Sequence, residues 1–431
     1  MATNNLQFRL KGSAAPMGTV AIICTLDTKG AEAGYLKEKI EGSGGRALLI
    51  DSGMAGDPAI VVPDISREQV AHAAGTTAAQ VSKLGRGEAC EVIQRGLTPV
   101  LKQLYTEGKI AGAMAIGGSD GAITAAVPMQ ALPMGVPKLL ISPALQGRTP
   151  FGPYVGTSDM IMMHSIVDIL GINQLSRKVF DNAVAAILGM LRAQVSAELR
   201  GGGQIAATMY GNTTPAVMLA KKIIERKGYQ VVVFHPNGTG GRAMEDFIDR
   251  GIFEGVFDFT THELTDDLFD GFHTAGPHRL EAAGRQGVPQ LVVPGCVDFL
   301  IRETKAKLTG KFRRRRSYHF NPVISLVRTS HAEMAAVGRV MAEKLNAAKG
   351  PTTLLIPLRG FSMYAKPGGP LHDAKGDRIF ISALTRGLKP HIRVLEQDAW
   401  INDPSFAERA ANLLLEMLSG QPAAKRQVAG A

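Results

Sequence analysis

The residues best suited to chemistry lie in one glycine-rich segment, Gly117–Gly121, which reads Gly-Gly-Ser-Asp-Gly and follows the apolar run 110–116. The run predicts a buried strand and the serine predicts a helix start, so the segment is a strand-to-helix turn. Backbone N–H groups at such a turn can point outward together, and the helix dipole favours an anion there. We therefore expect a phosphate-binding turn, against the alternative of an ordinary tight turn.

The same segment matches G-x-S-x-G, the pattern of the nucleophile elbow in hydrolases. Ser119 would then be the nucleophile, with His164 and either Asp159 or Asp168 after it in hydrolase order. The pattern is short enough to arise by chance, and no His-Gly-Gly segment follows it to help form an oxyanion hole. A serine-type hydrolase is therefore the alternative to nucleotide binding.

Other polar residues follow the first predicted strands. Lys29 could bind a phosphate and Asp51 could accept hydrogen bonds from a ribose, but each could equally be an ordinary turn residue. Neither G-x-G-x-x-G nor G-x-x-x-x-G-K-[ST] occurs, which disfavours NAD enzymes and P-loop NTPases. The candidate nucleotide-binding residues are Asp27, Thr28, Lys29, Asp51, Gly117, Gly118, Ser119, Asp120, Gly121, Thr157 and Ser158.

A second set of polar residues ends the predicted strands of the later half of the chain. Gly240 and Gly241 open a helix beside Arg242, which predicts a small-anion site. We assign His235, Gly240, Gly241, Arg242 and Glu245 to that site.

Catalytic and metal roles stay open for several side chains. The candidates for catalysis are Ser119, His235, His262, Glu263 and Asp298, and no reaction is assigned to them. Four of them could bind a metal, but no H-E-x-x-H spacing is present, so hydrogen-bonded loop residues are the favoured interpretation. Cys296 as a nucleophile is less favoured than Cys296 as a packed side chain.

The run 311–316, Lys-Phe-Arg-Arg-Arg-Arg, is the densest positive charge in the chain. With the aromatic residues after it, the run could bind nucleic acid. We favour a solvated loop, or arginines that meet an anionic ligand or acidic groups of a second subunit. A module that binds RNA or protein without catalysis is the further alternative.

These residues must be positioned by a repeated βαβ pattern. Residues 20–53 and 205–238 both read as strand, polar turn, helix, glycine stop and strand, without a change in length. This predicts an α/β fold of two Rossmann-like lobes, each an open, mostly parallel sheet with helices on both faces. We place a disordered arm at 1–18, the lobes at 19–200 and 201–421, and a disordered tail at 422–431.

Composition excludes several classes of protein. The 431 residues include only three cysteines, so a disulfide framework is excluded and a reducing, cytoplasmic compartment is expected. No apolar run reaches the length of a membrane helix, about 18 residues. The net charge of +10 permits phosphate-rich partners but does not by itself assign a function.

Several motifs taken together carry a family resemblance. They are Asp27-Thr28-Lys29, Ile116–Gly121, Tyr154–Asp159, Val167–Asn173, Val233–His235, Gly240–Glu245, Phe320-Asn321 and Leu326–Thr329. In these the chain resembles uncharacterised protein family 0261, the family of the ATP-binding domain of the tomato mosaic virus resistance protein. The resemblance extends from about residue 19 to 420.

The resemblance implies two Rossmann-like lobes, ATP binding in the first lobe and self-association as a dimer or larger homo-oligomer. ATP-dependent chemistry on a small carboxylate or phosphate compound held between the lobes is a further expectation. Where the family has Gly-Gly-Ser-Gly-Gly, this chain carries Asp120 in the fourth position. That carboxylate either coordinates Mg²⁺ or weakens triphosphate binding.

Overall fold

The chain divides into two compact units, Met1–Glu198 and Leu199–Ala431, called here the N-terminal unit and the C-terminal unit. The computed structural model describes residues 18–58, 60–144, 152–193 and 203–420. Apart from Gly18, the predicted arm and tail lie outside the described residues. No helix in these ranges is long and apolar enough to cross a membrane.

The N-terminal unit contains one fully parallel sheet, in the order β2-β1-β3-β4-β5. Its strands are β1 Thr19–Cys24, β2 Arg46–Asp51, β3 Gly112–Ile116, β4 Lys138–Ser142 and β5 Ile161–His164. Its helices are α1 Leu26–Gly42, α2 Arg67–Ala73, α3 Ala78–Val81, α4 Arg86–Thr106, α5 Ser119–Met129, α6 Gly152–Val155 and α7 Gln174–Ala193.

Both faces of this sheet are buried. Successive side chains of a strand point to opposite faces, so a continuous apolar strand places apolar side chains on both. Val20 and Ile22 pack with α1 and α7 on one face. Ala21 and Ile23 pack with α2, α4 and α5 on the other. The buried strand predicted from the run 110–116 is confirmed as well, since every residue of β3 is buried.

The C-terminal unit repeats this plan with one more parallel strand, in the order β14-β13-β9-β8-β6-β7. Its strands are β6 Gln204–Thr208, β7 Gln230–Phe234, β8 Gly255–Asp258, β9 Gln290–Val292, β10 Phe299–Glu303, β11 Ser317–His319, β12 Ile324–Arg328, β13 Thr352–Pro357 and β14 Arg393–Gln397. Its helices are α8 Thr214–Glu225, α9 Thr239–Asp249, α10 Glu263–Leu268, α11 Ala282–Gln286, α12 His331–Asn346, α13 Ala374–Gly387 and α14 Pro404–Ser419.

The predicted fold class is confirmed, since the first four parallel strands of each unit follow the same order, second-first-third-fourth. In this topology the chain reverses its direction of winding between the first and third strands, where such sheets bind ligands. These switch points lie between β1 and β3 in the N-terminal unit and between β6 and β8 in the C-terminal unit.

The structure differs in two places from what the sequence predicts. The polar turn expected after β1 already forms a first helical turn from Leu26, and a kink at Lys29 separates that turn from the rest of α1. The amide of Leu26 donates to Asp51 Oδ1 (3.1 Å), which allows the helix to start immediately after β1. The sequence also did not reveal the small antiparallel sheet β10-β12-β11.

We expect Gly96→Ala to destabilise the N-terminal unit. A Cβ atom at Gly96 in α4 would lie 2.0 Å from the carbonyl oxygen of Val70 in α2, a backbone atom that cannot turn aside. The overpacking should cost about 1–3 kcal/mol or more in unfolding free energy. Gly87→Ala in the same helix, where a Cβ meets nothing within 4 Å, is the matched control. Equal thermal midpoints for the two variants would contradict this packing.

Candidate functional site

The N-terminal unit has a cavity of about 740 Å³ at its switch point. Its lining combines the start of α1, the turn between β3 and α5, and the start of α4. The residues are Thr25, Asp27, Thr28, Lys29, Met54, Ala55, Val81, Ser82, Leu84, Arg86, Ala89, Gly118, Ser119, Asp120, Gly121 and Asp168. Seven predicted nucleotide-binding residues thus share one cavity, whose volume is typical of small-molecule and cofactor sites.

The two glycines at the end of β3 do different things. A Cβ atom on Gly117 would lie 2.9 Å from the backbone of Gly121, so only glycine lets α5 approach the strand this closely. A Cβ atom on Gly118 would meet nothing within 4 Å and would point into open space. Helix α5 begins at Ser119, and the first N–H groups of an α-helix lack an intrahelical acceptor. The turn therefore presents free amides beside empty space.

Charges in the cavity are mixed. Asp27, Asp120 and Asp168 contribute three carboxylates, while Lys29 and Arg86 contribute two cations. Arg86 forms an ion pair with Asp120, and Lys29 Nζ donates to the carbonyl of Ile169. The cavity alone is therefore not a simple anion site, because acidic groups outnumber basic ones.

Asp27 has a divided environment. Its Oδ2 atom accepts from the amide of Gly56 (3.1 Å), while its buried Oδ1 atom has no hydrogen-bond partner. A buried carboxylate oxygen without a donor carries a cost that a bound cation would remove. Asp27 is therefore the carboxylate best placed to hold a metal ion in this cavity.

Four predicted residues lie outside the cavity lining, and one of them is Gly117, whose role is the close approach of α5 to β3. Asp51 is fully buried and accepts from the amides of Leu26 and Gly53, so it holds the start of α1 in place. Burial raises the pKa of its carboxyl group. Thr157 and Ser158 lie between α6 and β5 in the chain, and neither lines the cavity.

Sequence inspection missed Arg86, which reaches the cavity from the first residue of α4. The signal was present as Gly85-Arg86-Gly87, a helix start with a cation on it. It was invisible as a site residue because only the fold brings α4 next to the turn after β3.

The geometry around Ser119 does not favour a nucleophile elbow. An elbow serine is held in a strained backbone conformation. Ser119 does not have the positive φ of such a conformation, which among the described non-glycine residues occurs at Ile166, Asp270, Leu280 and Cys296. Within the described residues the Ser119 hydroxyl has no hydrogen bond to histidine, and His164 does not line the cavity. Asp159 instead neutralises the buried ammonium of Lys138 (2.8 Å).

The predicted polar residues of the C-terminal unit lie at the carboxyl ends of its strands. Tyr210, which was not predicted, lies there as well. His235 stacks on the Tyr210 ring at a centroid distance of 5.0 Å. The Tyr210 hydroxyl lies 2.8 Å from Nδ1 of His273, a residue that sequence inspection did not single out. Burial lowers the pKa of His273 to about 4, so this imidazole is neutral at physiological pH.

The predicted anion site at the start of α9 is already filled by the protein. Glu263 Oε1 accepts from the amides of Gly238 (2.6 Å) and Gly241 (3.1 Å), and a Cβ on Gly241 would collide with that carboxylate. Gly240 contacts the backbone of His235 closely, and Arg242 is exposed. An external anion at this helix start stays a prediction that the geometry does not favour.

A single buried guanidinium organises these carboxylates. Arg279 donates to both oxygens of Asp258 (2.5 and 2.7 Å), to Glu263 (2.7 Å) and to Glu245 (3.2 Å). Glu245 also accepts from the amides of Leu280 and Ala282 at the start of α11. Two predicted site residues, Glu245 and Glu263, therefore have structural partners.

Asp298 and Cys296 are also buried. Asp298 Oδ2 accepts from Ser362 (2.8 Å) and lies 3.5 Å from Arg328, while burial raises the pKa of its carboxyl group. Burial likewise raises the pKa of the Cys296 thiol. The backbone carbonyl oxygen of Cys296 lies 2.9 Å from His262 Nδ1. A thiol held protonated is a poor nucleophile, as expected for a packed cysteine.

The basic run 311–316 folds back onto its own unit. Arg315 forms a two-pronged pair with Glu333 (2.6 and 2.9 Å), which Lys311 also contacts at 3.2 Å. Arg316 donates to the carbonyl of His372. Several of the cations thus have protein partners, which weakens the case for nucleic-acid binding.

Fold and site together define a two-unit, doubly wound α/β protein with a ligand-sized cavity at one switch point. Models of the uncharacterised protein family UPF0261 match the chain, the N-terminal domain at residues 18–196 and the C-terminal domain at 203–418. The chain therefore belongs to this family, as the sequence motifs predicted.

Relatives of the chain span bacteria and plants. A UPF0261 protein of Clostridium tetani is 39% identical over 402 residues, 93% of this chain and 98% of that protein. The ToMV resistance protein Tm-1 of Solanum lycopersicum is 33% identical over 345 residues, 77% of this chain but 45% of that protein. A solved structure assigned as a UDP-N-acetylglucosamine 2-epimerase from Listeria monocytogenes covers 64% of this chain and 79% of its own, at 13% identity and a TM-score of 0.21.

We expect Arg279→Met to destabilise the C-terminal unit by about 3–5 kcal/mol, because it leaves three buried carboxylates without their cation. Arg285→Met, which removes an exposed pair with Asp249, is the control and should cost about 1 kcal/mol or less. Chemical denaturation of both variants measures the difference.

The deficit of Arg279→Met should also depend on pH. Burial already raises the pKa values of Glu245 and Glu263 in the native protein. Without the guanidinium they rise further, so the folded variant binds protons that the unfolded chain releases at neutral pH. Its stability therefore recovers as the pH falls from about 7 to 5. A deficit that grew over this range would contradict the assignment.

Proposed function

We propose that the N-terminal unit binds a nucleotide, ATP with Mg²⁺, in its switch-point cavity. The proposal rests on three features that share one cavity of about 740 Å³. They are the start of α5, the open space at Gly118 and the cations of Lys29 and Arg86. The preference for ATP over other phosphate compounds rests on the family resemblance of Asp27–Lys29 and Gly117–Gly121.

The phosphates belong at the turn after β3 in this proposal. The free amides at the start of α5 would donate to phosphate oxygens, and Gly118 leaves room for them to approach. Lys29 uses one of its three donors on the carbonyl of Ile169, which leaves two for a ligand. Arg86 is 84% exposed in its pair with Asp120 and can turn toward an anion at small cost.

The three carboxylates of the cavity fit a magnesium nucleotide better than a free one. Asp27, Asp120 and Asp168 would repel a triphosphate, whereas oxygen ligands and partial phosphate coordination are what Mg²⁺ prefers. Asp27 Oδ1, which lacks a donor, would hold the ion, with Asp120 as a second oxygen source. The ion supplies charge neutralisation, and the residues hold and orient it.

The cellular setting is part of the same proposal. All three cysteines are free and buried, which supports a reducing, cytoplasmic compartment. Self-association, which the resemblance implies, is supported by apolar side chains exposed before and in α7, namely Ile166, Leu170 and Leu175.

We expect Mg²⁺-ATP to raise the thermal midpoint of the protein. At about 100 times its dissociation constant a ligand adds about 2.7 kcal/mol, and each kcal/mol is worth roughly 2–4 °C in a unit of this size. Gly118→Val should abolish the shift, because the side chain fills the space beside the α5 amides, where its Cβ atom meets nothing within 4 Å. Differential scanning fluorimetry, with and without EDTA, measures both effects.

Gly42→Val is the matched control for that experiment. Gly42 ends α1 at the surface, away from the cavity, and its Cβ would also meet nothing within 4 Å. This variant should keep the full ATP shift. Full stabilisation of a folded Gly118→Val protein would refute the phosphate assignment.

The hydrolase alternative is tested by active-site labelling. We expect a fluorophosphonate probe to leave Ser119 unmodified, because the described structure gives this hydroxyl no hydrogen-bonded base. Mass spectrometry of the intact protein reads the result, with Ser119→Ala as control. Stoichiometric labelling that the substitution removes would make the serine hydrolase the better assignment.

A further inference from the structure

Three side chains of the C-terminal unit meet in a cluster that the proposed nucleotide site does not involve. His262, Asp266 and His273 each offer a ligand atom, and these atoms all lie within 4.8 Å of one another. His262 and Asp266 are fully buried, and His273 is partly exposed, which gives the cluster a side open to entry. The cluster follows β8, at the switch point of this unit.

We propose that His262, Asp266 and His273 form a binding site for a divalent transition-metal ion of the Zn²⁺ type. Two imidazoles and one carboxylate are a donor set that suits zinc and neighbouring first-row metals rather than Mg²⁺ or Ca²⁺. Three protein ligands leave a coordination position for water or an oxygen ligand.

The first argument is directional. His262 Nε2 lies 3.2 Å from Asp266 Oδ2, yet this fully buried nitrogen makes no hydrogen bond of acceptable geometry. Two atoms that face a common point rather than each other produce this combination. Two ligands of a tetrahedral zinc ion, at bond lengths of about 2.1 Å, lie about 3.4 Å apart. The observed spacing is close to that value.

The second argument is local structure. His262 caps α10 and Asp266 lies one turn later, so the spacing of four residues puts both on the same side of the helix. The chain then turns back, and the amide of His273 donates to Asp266 Oδ2 (2.8 Å). That hydrogen bond holds the third ligand residue beside the first two without any bound ion.

The third argument is the set of contacts behind the ligands. His262 Nδ1 lies 2.9 Å from the carbonyl of Cys296, which can only accept, so Nδ1 is the donor and Nε2 is the ring nitrogen that remains for an ion. Asp266 Oδ1 accepts from the amide of Ile301 (3.1 Å). The hydroxyl of Tyr210 fixes the His273 ring. Each ligand residue is thus oriented by a partner outside the cluster, as in protein metal sites.

Neighbouring loops add unpaired polar groups at the same end of the sheet. The side-chain amide of Asn212, after β6, and the hydroxyl of Thr261, after β8, are buried without hydrogen-bond partners. Such groups are suited to an oxygen-bearing ligand or ordered water at this edge. They extend the polar environment of the cluster beyond its three ligands.

The test uses the full chain, stripped with a chelator and titrated with Co²⁺, which reports four-coordinate N/O sites through intense visible bands. We expect one equivalent to bind and Zn²⁺ to displace it. His273→Ala should weaken Co²⁺ binding more than about 100-fold, beyond the usual effect of losing an outer contact. His278→Ala is the control, because His278 is an exposed histidine of the same unit and lies outside the cluster.

Folding of each variant is checked by circular dichroism. Should His273→Ala not fold, His273→Gln, which keeps a polar group for Tyr210, serves the same comparison. Absence of a stoichiometric Co²⁺ spectrum in the wild-type chain would overturn the proposal. Undiminished binding by the His273 variant, or equal loss in His278→Ala, would overturn it as well. These readouts do not involve ATP, so they are independent of the nucleotide proposal.

Discussion

Helices cover both faces of each parallel sheet, and this constraint decides where the protein can carry polar chemistry. In β1, for example, Val20 packs toward one layer of helices and Ala21 toward the other, so every residue of the strand after Thr19 is buried. Polar groups collect instead where the strands end and the helices begin. There the backbone itself supplies free amides, and the choice of residue in each turn determines what those amides bind.

The two units use the same strand order, but the helix start after β3 in one and the helix start after β7 in the other are treated differently. In the N-terminal unit the space beside Gly118 is empty, and the start of α5 opens onto a cavity. In the C-terminal unit the amides of Gly238 and Gly241 donate to Glu263, an internal carboxylate. The N-terminal unit therefore keeps the start of α5 available for a ligand. In the C-terminal unit an internal carboxylate occupies the start of α9 and stabilises the fold.

Much of this organisation could be predicted from the sequence, because strands buried on both faces and the repeated βαβ pattern leave strong periodic signals. The turn after β3 was also recognisable, since glycine followed by serine at a helix start is a local signal. The occupant of the α9 start was not, because Glu263 and Arg279 meet only through tertiary contacts. For the same reason Arg86 was missed, and neither Asp266 nor His273 stands out in the chain.

The internal carboxylate has a consequence for its neighbour in sequence. Glu263 is held by two backbone amides and by Arg279, which fixes the backbone at the start of α10. His262 precedes Glu263 and takes no part in that network. The His262 ring contacts the carbonyl of Cys296 through Nδ1 and faces Asp266 through Nε2. The ion network thus restrains the backbone next to His262 and limits the orientations of its ring. In the proposed metal site, a ligand residue anchored through its neighbour would lose little entropy on binding.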